Sequence, residues 1–335
     1  MNVITNCMLF WVLLGAATPA PPRPLHQRPE EDHGHSDWVL LPDDDNGTLH
    51  WVDLSAKPEP FSVSEDDVTF LLYTRATGNN PTTLRIGDAS SLGSFDARRR
   101  TELVIHGWNS NGNSMAVVTN AYLSSGLDLN VIVVDWRRPA NLVYQSAVAA
   151  TREVGAFVAR LVDFLVGRGL QPADVNIVGF SLGAHVAGVA GQRCQSRPGR
   201  VTGLDPAGPM WPSVDRHDRL DQASGAHVQA IHTNGGGLGF GNNLGHADFY
   251  PNGGARQEGC GLDLIGSCSH GRANQFYAES VLGARFLSRE CPSWQLFRDG
   301  VCAHNGAALM GHGISPASRG VYFLQTNGQS PFARG

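Results

Sequence analysis

The sequence contains little charge and no cluster of basic residues. Its 335 residues include 25 Lys and Arg against 30 Asp and Glu, for a net charge of −5, and only 16% are charged. A surface that binds nucleic acid needs a basic stripe to neutralise phosphates, so a nucleic-acid partner is excluded. The same shortage of basic residues argues against strong attraction to anionic membranes.

Metal motifs, membrane spans and repeats are also missing. There is no C-x-x-C and no pair of histidines at metal-ligand spacing, so we expect no zinc site. Beyond the N-terminus, no apolar run is long enough to cross a bilayer. Because neither an internal repeat nor a linker is present, we expect one domain over residues 38–335.

The N-terminus has the composition of a secretory signal. An apolar run from Cys7 to Leu14 precedes small residues, and cleavage near Ala17 predicts a signal peptide over 1–17. No Lys or Arg precedes the run. A buried helix is the less favoured alternative, because the PAPPRP that follows cannot continue one. Residues 18–37 are rich in Pro, Arg, Glu and His and predict a flexible segment. We therefore expect a secreted, extracellular protein.

The cysteines and one glycosylation sequon fit an extracellular protein. Six cysteines are present, and loss of Cys7 with the signal leaves five, an odd number that requires an unpaired thiol or an intermolecular bond. The sequon Asn46-Gly47-Thr48 lies in a polar stretch. Proximity in the sequence predicts the disulfides Cys260–Cys268 and Cys291–Cys302 and leaves Cys194 free. Each disulfide would stabilise the fold by about 2–3 kcal/mol in the chain-entropy model.

Apolar runs divide the chain into two patterns. Before about residue 100, short runs such as WVLL and VTFLLYT alternate with turn residues, which predicts antiparallel strands. Beyond it, strand patterns alternate with helical stretches, which predicts a mainly parallel sheet covered on both faces. TREVGAFVARLVDFLVGRG and NQFYAESVLGARFL predict helices, and GVYFLQT a last strand. The other expected strands are Leu103–Ile105, Val131–Val134, Val175–Val178 and Val201–Leu204.

One stretch, VNIVGFSLGAHVAG over residues 175–188, carries the strongest chemical signal. A strand pattern meets small helix-compatible residues around a G-x-S-x-G, the context of a nucleophile elbow. The elbow is a sharp turn that lifts a serine hydroxyl above the sheet edge. Gly179 and Gly183 have no Cβ to clash where strand and helix close around Ser181. Ser181 is therefore the candidate nucleophile.

A nucleophilic serine needs a base beside it and a carboxylate that orients the base. The first acid after a later strand pattern is Asp205 in RVTGLDPAGP, which without the elbow would be interpreted as a turn or cap residue. His270 is the favoured base because it follows the Cys260–Cys268 segment and precedes a helix pattern, on a loop held by a disulfide. His246 stays open as an alternative, whereas His232 in VQAIHT is expected to pack in the sheet.

Acyl transfer also needs backbone N–H groups that stabilise an oxyanion. One is the amide of Leu182, directly after the serine. The other is expected from LVIHGWNSNG, where Trp108 follows His106-Gly107 and the glycine permits close approach of a substrate. An ordinary strand-ending turn is the alternative for this segment.

Six motifs occur in the order found in the pancreatic-lipase superfamily: HGW, VDW, GFSLGAH, GLDPAGP, GHADFYPNGG and C-x(7)-C-S-H-x-R. Over residues 38–330 the chain resembles the short secreted insect-type and sn-1 phospholipase-like members. The resemblance implies an α/β-hydrolase fold and favours His270 over the other histidines. It implies a catalytic triad of Ser181, Asp205 and His270. It also implies that Trp108 and Leu182 are the two oxyanion donors.

Three departures limit what the resemblance implies. The chain ends before a C-terminal colipase-binding β-sandwich, so no colipase partner is expected. The lid loop GLDLIGS and the neighbouring NGGGLGFGNNL are short, which resembles phospholipases more than triacylglycerol lipases. Asp221 matches the family's calcium loop, but Arg216 and Ser224 replace acids, which puts calcium in doubt; no metal or cofactor is expected. The candidates for lipid contact are Leu262, Leu264 and Ile265. Packing of these side chains under the loop is an equal alternative.

The sequence predicts a secreted serine lipase that hydrolyses fatty acyl esters of glycerolipids in lipid catabolism. The substrate is a phospholipid, at its sn-1 ester, or a triacylglycerol, met at a lipid interface. The alternative is a catalytically silent lipid-binding or yolk-like storage protein on the same fold, since some relatives have lost the nucleophile that this chain keeps.

Overall fold

The computed structural model describes residues 37–335, which contain thirteen strands and six α-helices. The predicted signal peptide over 1–17, Cys7, and the predicted flexible segment up to residue 36 lie outside the described residues. In the described part, no helix is both long enough and apolar enough to span a membrane.

The strands form one large sheet and one separate hairpin. In chain order they are β1 (Trp38–Pro42), β2 (Leu49–Asp53), β3 (Thr69–Tyr73), β4 (Thr82–Leu84), β5 (Thr101–Ile105), β6 (Asn130–Asp135), β7 (Val175–Phe180), β8 (Arg200–Leu204), β9 (His227–Ile231), β10 (Ala247–Pro251), β11 (Phe286–Glu290), β12 (Ala307–Met310) and β13 (Gly320–Leu324).

The large sheet has eleven strands in the order β12-β11-β13-β10-β9-β8-β7-β5-β6-β3-β4. From β13 to β6 all neighbours run parallel. The outer strands β3, β4, β11 and β12 pair antiparallel at the two edges. The predicted mainly parallel sheet of an α/β hydrolase is confirmed. Because β5, β7 and β8 are parallel neighbours, their carboxyl ends meet at one edge of the sheet.

The helices cover both faces of the sheet, as predicted. They are α1 (Ala116–Ser124), α2 (Arg137–Ala140), α3 (Tyr144–Val166), α4 (Leu182–Arg193), α5 (Ser267–Val281) and α6 (Trp294–Arg298). On β5, Leu103 and Ile105 pack in the cluster that holds α3 and α4, whereas Val104 packs in the cluster that holds α1 and α5. This alternation follows from the strand period of two, and it explains why the last three residues of β5, Leu103 to Ile105, are all apolar.

The C-terminal helix prediction is partly wrong. NQFYAESVLGARFL does not form one helix: α5 begins earlier, at Ser267, and ends at Val281. Gly283, whose φ is 99°, ends the helical path, and the following Phe286 begins strand β11. His270 therefore lies in the first turn of α5 and not on a loop before a helix. Its ring is fixed by a helix backbone as well as by the nearby disulfide.

The hairpin of β1 and β2 is a sheet of its own, hydrogen-bonded strand to strand with Leu41 opposite His50. One face packs on the body through Leu41 and Val52, which are buried. The other face presents Trp51, which is 70% exposed. Asp43 organises the connecting turn, because its Oδ1 accepts bonds from the backbone N–H groups of residues 46, 47 and 48 at 2.9, 2.9 and 3.2 Å.

Candidate active site

Ser181 stands on the sharp turn between β7 and α4. Its backbone has φ 54° and ψ −123°, a conformation that a non-glycine residue adopts only under strong constraint. The constraint is close packing, because a Cβ on Gly179 would overlap the carbonyl of Gly183. A Cβ on Gly183 would overlap the backbone carbonyls of Ile105 and His106 at the end of β5. Both glycines of the motif therefore let helix α4 approach the sheet.

Asp205 follows β8, the strand next to β7, and its side chain is fully buried. One carboxylate oxygen, Oδ1, accepts hydrogen bonds from the backbone N–H groups of Thr233 and Asn234 at 2.7 and 3.0 Å. A Cβ on Gly239 would lie 2.5–2.6 Å from the carboxylate. The glycine-rich loop 234–244 therefore passes close over Asp205 and leaves its second oxygen free to face a partner.

That partner is His270, whose Nδ1 lies 2.5 Å from Asp205 Oδ2. The first turn of α5 places the ring, and Asp263 holds that turn by accepting bonds from the N–H groups of Cys268 and Ser269 at 3.1 and 2.8 Å. A disulfide joins Cys260 to Cys268 beneath it. The contact with Asp205 fixes the imidazole so that Nε2 points away from the acid, toward the space above Ser181.

The structure also accounts for the two other histidines considered above. His232 uses both ring nitrogens inside the fold, with Phe240 O at 2.8 Å and Asp248 Oδ1 at 2.9 Å. His246 Nδ1 accepts a bond from the backbone N–H of Val228 at 3.0 Å. Neither ring meets Asp205, and both hold strand ends in place.

The HGW segment is held by the VDW segment of the next strand. Trp136 donates its backbone N–H to His106 Nε2 at 3.0 Å and its indole N–H to the carbonyl of His106 at 2.8 Å. The two rings stack with centroids 5.5 Å apart. These bonds fix the turn after β5 and direct the backbone N–H of Trp108 toward the region of Ser181.

A residue that no sequence motif indicates, Asp44, lies in this region. It belongs to the β1–β2 turn, and its Oδ2 accepts the backbone N–H of Trp108 at 2.7 Å. Its Oδ1 lies 3.4 Å from His270 Nε2, and its side chain is only 6% exposed. A Cβ on Gly107 would overlap this carboxylate, so glycine at 107 makes room for it. The only sequence signal was the run of three aspartates between two short apolar strands.

The buried imidazole and the two carboxylates form one electrostatic unit. Burial lowers the pKa of His270, but hydrogen bonds to Asp205 and Asp44 and their negative charges outweigh it and raise the pKa to about 9. At neutral pH the ring is therefore protonated in this arrangement. Among the described residues, the Ser181 hydroxyl has no hydrogen bond to His270.

The space directly above Ser181 measures about 20 Å³. That is room for about one water molecule and not for an ester. Leu41, Pro42 and Asp44 of the hairpin line it, together with Leu238 of the 234–244 loop. The Cys260–Cys268 loop contributes no lining residue. Leu262 and Leu264 of that loop are 79% and 85% exposed, and Ile265 is half-buried.

The other positions predicted from the sequence are the remaining cysteines and the asparagine of the sequon. A second disulfide joins Cys291 to Cys302. Cys194 has no disulfide partner among the described residues, and burial followed by the charge of Asp163 raises its pKa to about 12. Asn46 is exposed at the tip of the hairpin turn.

The calcium-loop position does not fit a cation. The guanidinium of Arg216 donates to both oxygens of Asp221, at 3.0 and 3.2 Å, and so already neutralises that carboxylate. Within residues 37–335, no cluster of three or more His, Cys, Asp or Glu is arranged to hold a metal ion.

A mainly parallel sheet with a strained serine after β7, an aspartate after β8 and a histidine in contact with it defines an α/β hydrolase. A family model described as Lipase matches residues 42–332. The chain belongs to this family, within the pancreatic-lipase superfamily, and it is a carboxylic ester hydrolase of the lipase class.

Similar proteins come from several vertebrates. Pancreatic lipase-related protein 2 of Mus musculus is 32% identical, over 85% of this chain and 67% of its own length. Pancreatic triacylglycerol lipase of Myocastor coypus is 34% identical, over 87% of this chain and 71% of its length. Lipase member H of Rattus norvegicus is 34% identical over 76% of this chain, which spans only 57% of that relative.

Proposed function

We propose that the chain is a secreted serine lipase that cleaves fatty acyl esters of glycerolipids through Ser181, Asp205 and His270. The single observation that carries this proposal is the 2.5 Å contact between His270 Nδ1 and Asp205 Oδ2, beside a serine on a strained elbow. A buried acid that orients an imidazole toward a turn-borne serine is the arrangement that activates a hydroxyl for acyl transfer.

In the proposed reaction, Ser181 Oγ attacks the ester carbonyl while neutral His270 accepts its proton at Nε2. The carbonyl oxygen becomes an oxyanion, which the backbone N–H groups of Trp108 and Leu182 stabilise. The carbonyl re-forms, the glycerolipid alcohol leaves with the proton from His270, and an acyl-enzyme remains. Water then loses a proton to His270 and attacks the acyl group. The fatty acid is released and the serine is restored.

Two observations support an extracellular site of action. The described residues contain two disulfides, a feature that persists in oxidising compartments. Asn46 is exposed in the hairpin turn, where a glycan has access to solvent. The proposed secretion signal over 1–17 would deliver the chain there, and its partner would be lipid at an interface, with no nucleic acid and no colipase.

Covalent labelling tests the serine mechanism. With phospholipid micelles present, a fluorophosphonate is expected to label the chain at Ser181, and Ser181→Ala is expected to abolish labelling, because Ser181 shares its space with the imidazole that Asp205 orients. Ser213→Ala, at an exposed serine outside the site, is the matched control and should label normally. Folded chain that binds micelles without labelling would favour the catalytically silent lipid-binding alternative.

Substrate class is tested by fatty acid release. We propose that phosphatidylcholine, cleaved at the sn-1 ester, is hydrolysed faster than triolein, because the loop between Cys260 and Cys268 is short and contributes no residue above Ser181. The expected ratio is at least tenfold when both lipids are presented in the same mixed micelles. Faster release from triolein would instead assign the chain to triacylglycerol, the substrate in the name of the Myocastor coypus relative.

A further inference from the structure

Asp44 occupies the place that the reaction requires for its oxyanion. Its carboxylate takes the Trp108 N–H with one oxygen and faces His270 Nε2 with the other. These are the donor and the base that the proposed reaction uses, so substrate and Asp44 cannot bind at the same time. With about 20 Å³ left above Ser181, the described arrangement is closed.

The element that carries Asp44 is attached separately from the catalytic sheet. The hairpin formed by residues 38–53, here called the cap hairpin, shares no strand pairing with the eleven-stranded sheet. Its polar anchors include the backbone N–H of Asp44, which donates to the carbonyl of Trp108, and the Asp44 carboxylate, which accepts the N–H of Trp108. A further bond joins His50 to Asn109 at 3.0 Å. A two-stranded hairpin is only marginally stable alone, so a few contacts decide whether it stays docked.

The outer face of the cap hairpin is apolar. Trp38, Leu49 and Trp51 are 52%, 45% and 70% exposed. Beside them lies a groove of about 420 Å³ between the hairpin and residues 142–145. Trp108 and Tyr144 line both this groove and the space above Ser181, so the groove adjoins the reacting centre.

We propose that the cap hairpin is a lipid-docking surface that also closes the enzyme: Asp44 blocks the oxyanion site in water, and contact of Trp38, Leu49 and Trp51 with a lipid surface withdraws it. This rests on the proposed function, which makes lipid the substrate. Lipid is the occupant because the apolar surface borders the groove that shares Trp108 and Tyr144 with the space above Ser181. Tryptophan is the side chain that settles best at a lipid–water boundary.

In the closed state the carboxylate of Asp44 is nearly buried but not unpaired. The negative Asp44 carboxylate is compensated by the protonated imidazole and by the Trp108 N–H, so the charge is paired although it is nearly buried. A lipid surface favours the open state only if it binds that state more tightly than the closed state. The gain in affinity comes from apolar side chains that leave water and enter the lipid.

The test measures the rate at which a fluorophosphonate labels Ser181 at pH 7. It compares buffer alone with vesicles of dialkyl phosphatidylcholine, whose ether bonds resist hydrolysis. Vesicles should accelerate labelling of the wild-type chain at least tenfold. Asp44→Ala removes the carboxylate and should label at least tenfold faster than wild type in buffer, with little further gain from vesicles. Asp44→Asn removes only the charge and should change in the same direction.

Asp45→Ala is the matched control. Asp45 is exposed in the same turn, and its one side-chain hydrogen bond among residues 37–335 is accepted from Asn111 at 3.3 Å, so Asp45→Ala should behave as wild type. Trp38→Ser combined with Trp51→Ser should reduce acceleration by vesicles at least fivefold. Labelling of both Asp44 variants at the wild-type rate in buffer would overturn the block. Undiminished acceleration in the tryptophan variant would overturn the docking surface. No labelling of any form, even with vesicles, would instead contradict the serine mechanism itself.

Discussion

Replacing Asp205 by Asn is expected to lower kcat for ester hydrolysis by about 10⁴-fold, the size of effect that loss of the orienting acid has in serine hydrolases. Asp205 Oδ2 contacts His270 Nδ1, while Oδ1 is held by two backbone N–H groups. An asparagine can keep this geometry, but it presents a dipole where a charge stabilised the imidazolium, and it can favour the wrong tautomer. The measurement is steady-state hydrolysis of a phosphatidylcholine micelle.

The pH profile distinguishes loss of charge from loss of fold. Because Asp205 is one of the groups that raise the pKa of His270, its replacement lowers that pKa. His270 acts as a base only when neutral, so the acidic limb of kcat/KM should move to lower pH in Asp205→Asn. Asp66→Asn, at an exposed aspartate far from the site in sequence, is the control and should keep the wild-type profile. An unchanged kcat in Asp205→Asn would refute the assigned role.

Replacing Gly183 by Ala is expected to lower the free energy of unfolding by about 3 kcal/mol, as overpacking of a rigid contact does. The added methyl would overlap the carbonyl oxygens of Ile105 and His106, which are backbone atoms at the end of a central strand and cannot rotate away. Helix α4 must then move from the sheet and take the elbow with it. Denaturant unfolding followed by circular dichroism measures the loss.

Gly271→Ala provides the matched control on another helix. An added Cβ there meets nothing within 4 Å. Alanine should therefore raise the free energy of unfolding by about 0.5–1 kcal/mol, because glycine is the poorer helix former. Equal effects of the two substitutions would mean that the elbow is not closely packed, contrary to the distances around Gly183.

The short lid loop between Cys260 and Cys268 and the short neighbouring loop 234–244 have different places in the structure. The 234–244 loop does reach the reacting centre, through Leu238 above Ser181 and Gly239 beside Asp205. The Cys260–Cys268 loop stands at the start of α5 with two leucines exposed. Its structural effect is to hold the turn that carries His270. Lipid contact by Leu262, Leu264 and Ile265 stays a prediction, and the variants of the cap hairpin do not test it.

Much of the fold and part of the site could be predicted from local patterns. Runs of apolar residues identified strands β5 to β8, and the G-x-S-x-G identified the turn at Ser181, because strand period and the sterics of a turn act over a few residues. Asp205 could be placed at a strand end for the same reason. The end of α5 could not be predicted in this way. The helical spacing of apolar residues continues in the sequence past Gly283, but the positive φ of Gly283 ends the helix.

What the sequence by itself determined is the set of candidate groups and the strand ends that carry them, since those depend on short-range preferences. The tertiary structure alone decided which groups meet. His270 reaches Asp205 across 65 positions in the chain, and His232 and His246 are occupied elsewhere. Asp44 reaches Trp108 across 64 positions, through a hairpin whose docking no local pattern encodes. Contacts at such separations arise from packing of whole elements, and so only the folded chain shows that Asp44 lies against Trp108 and His270.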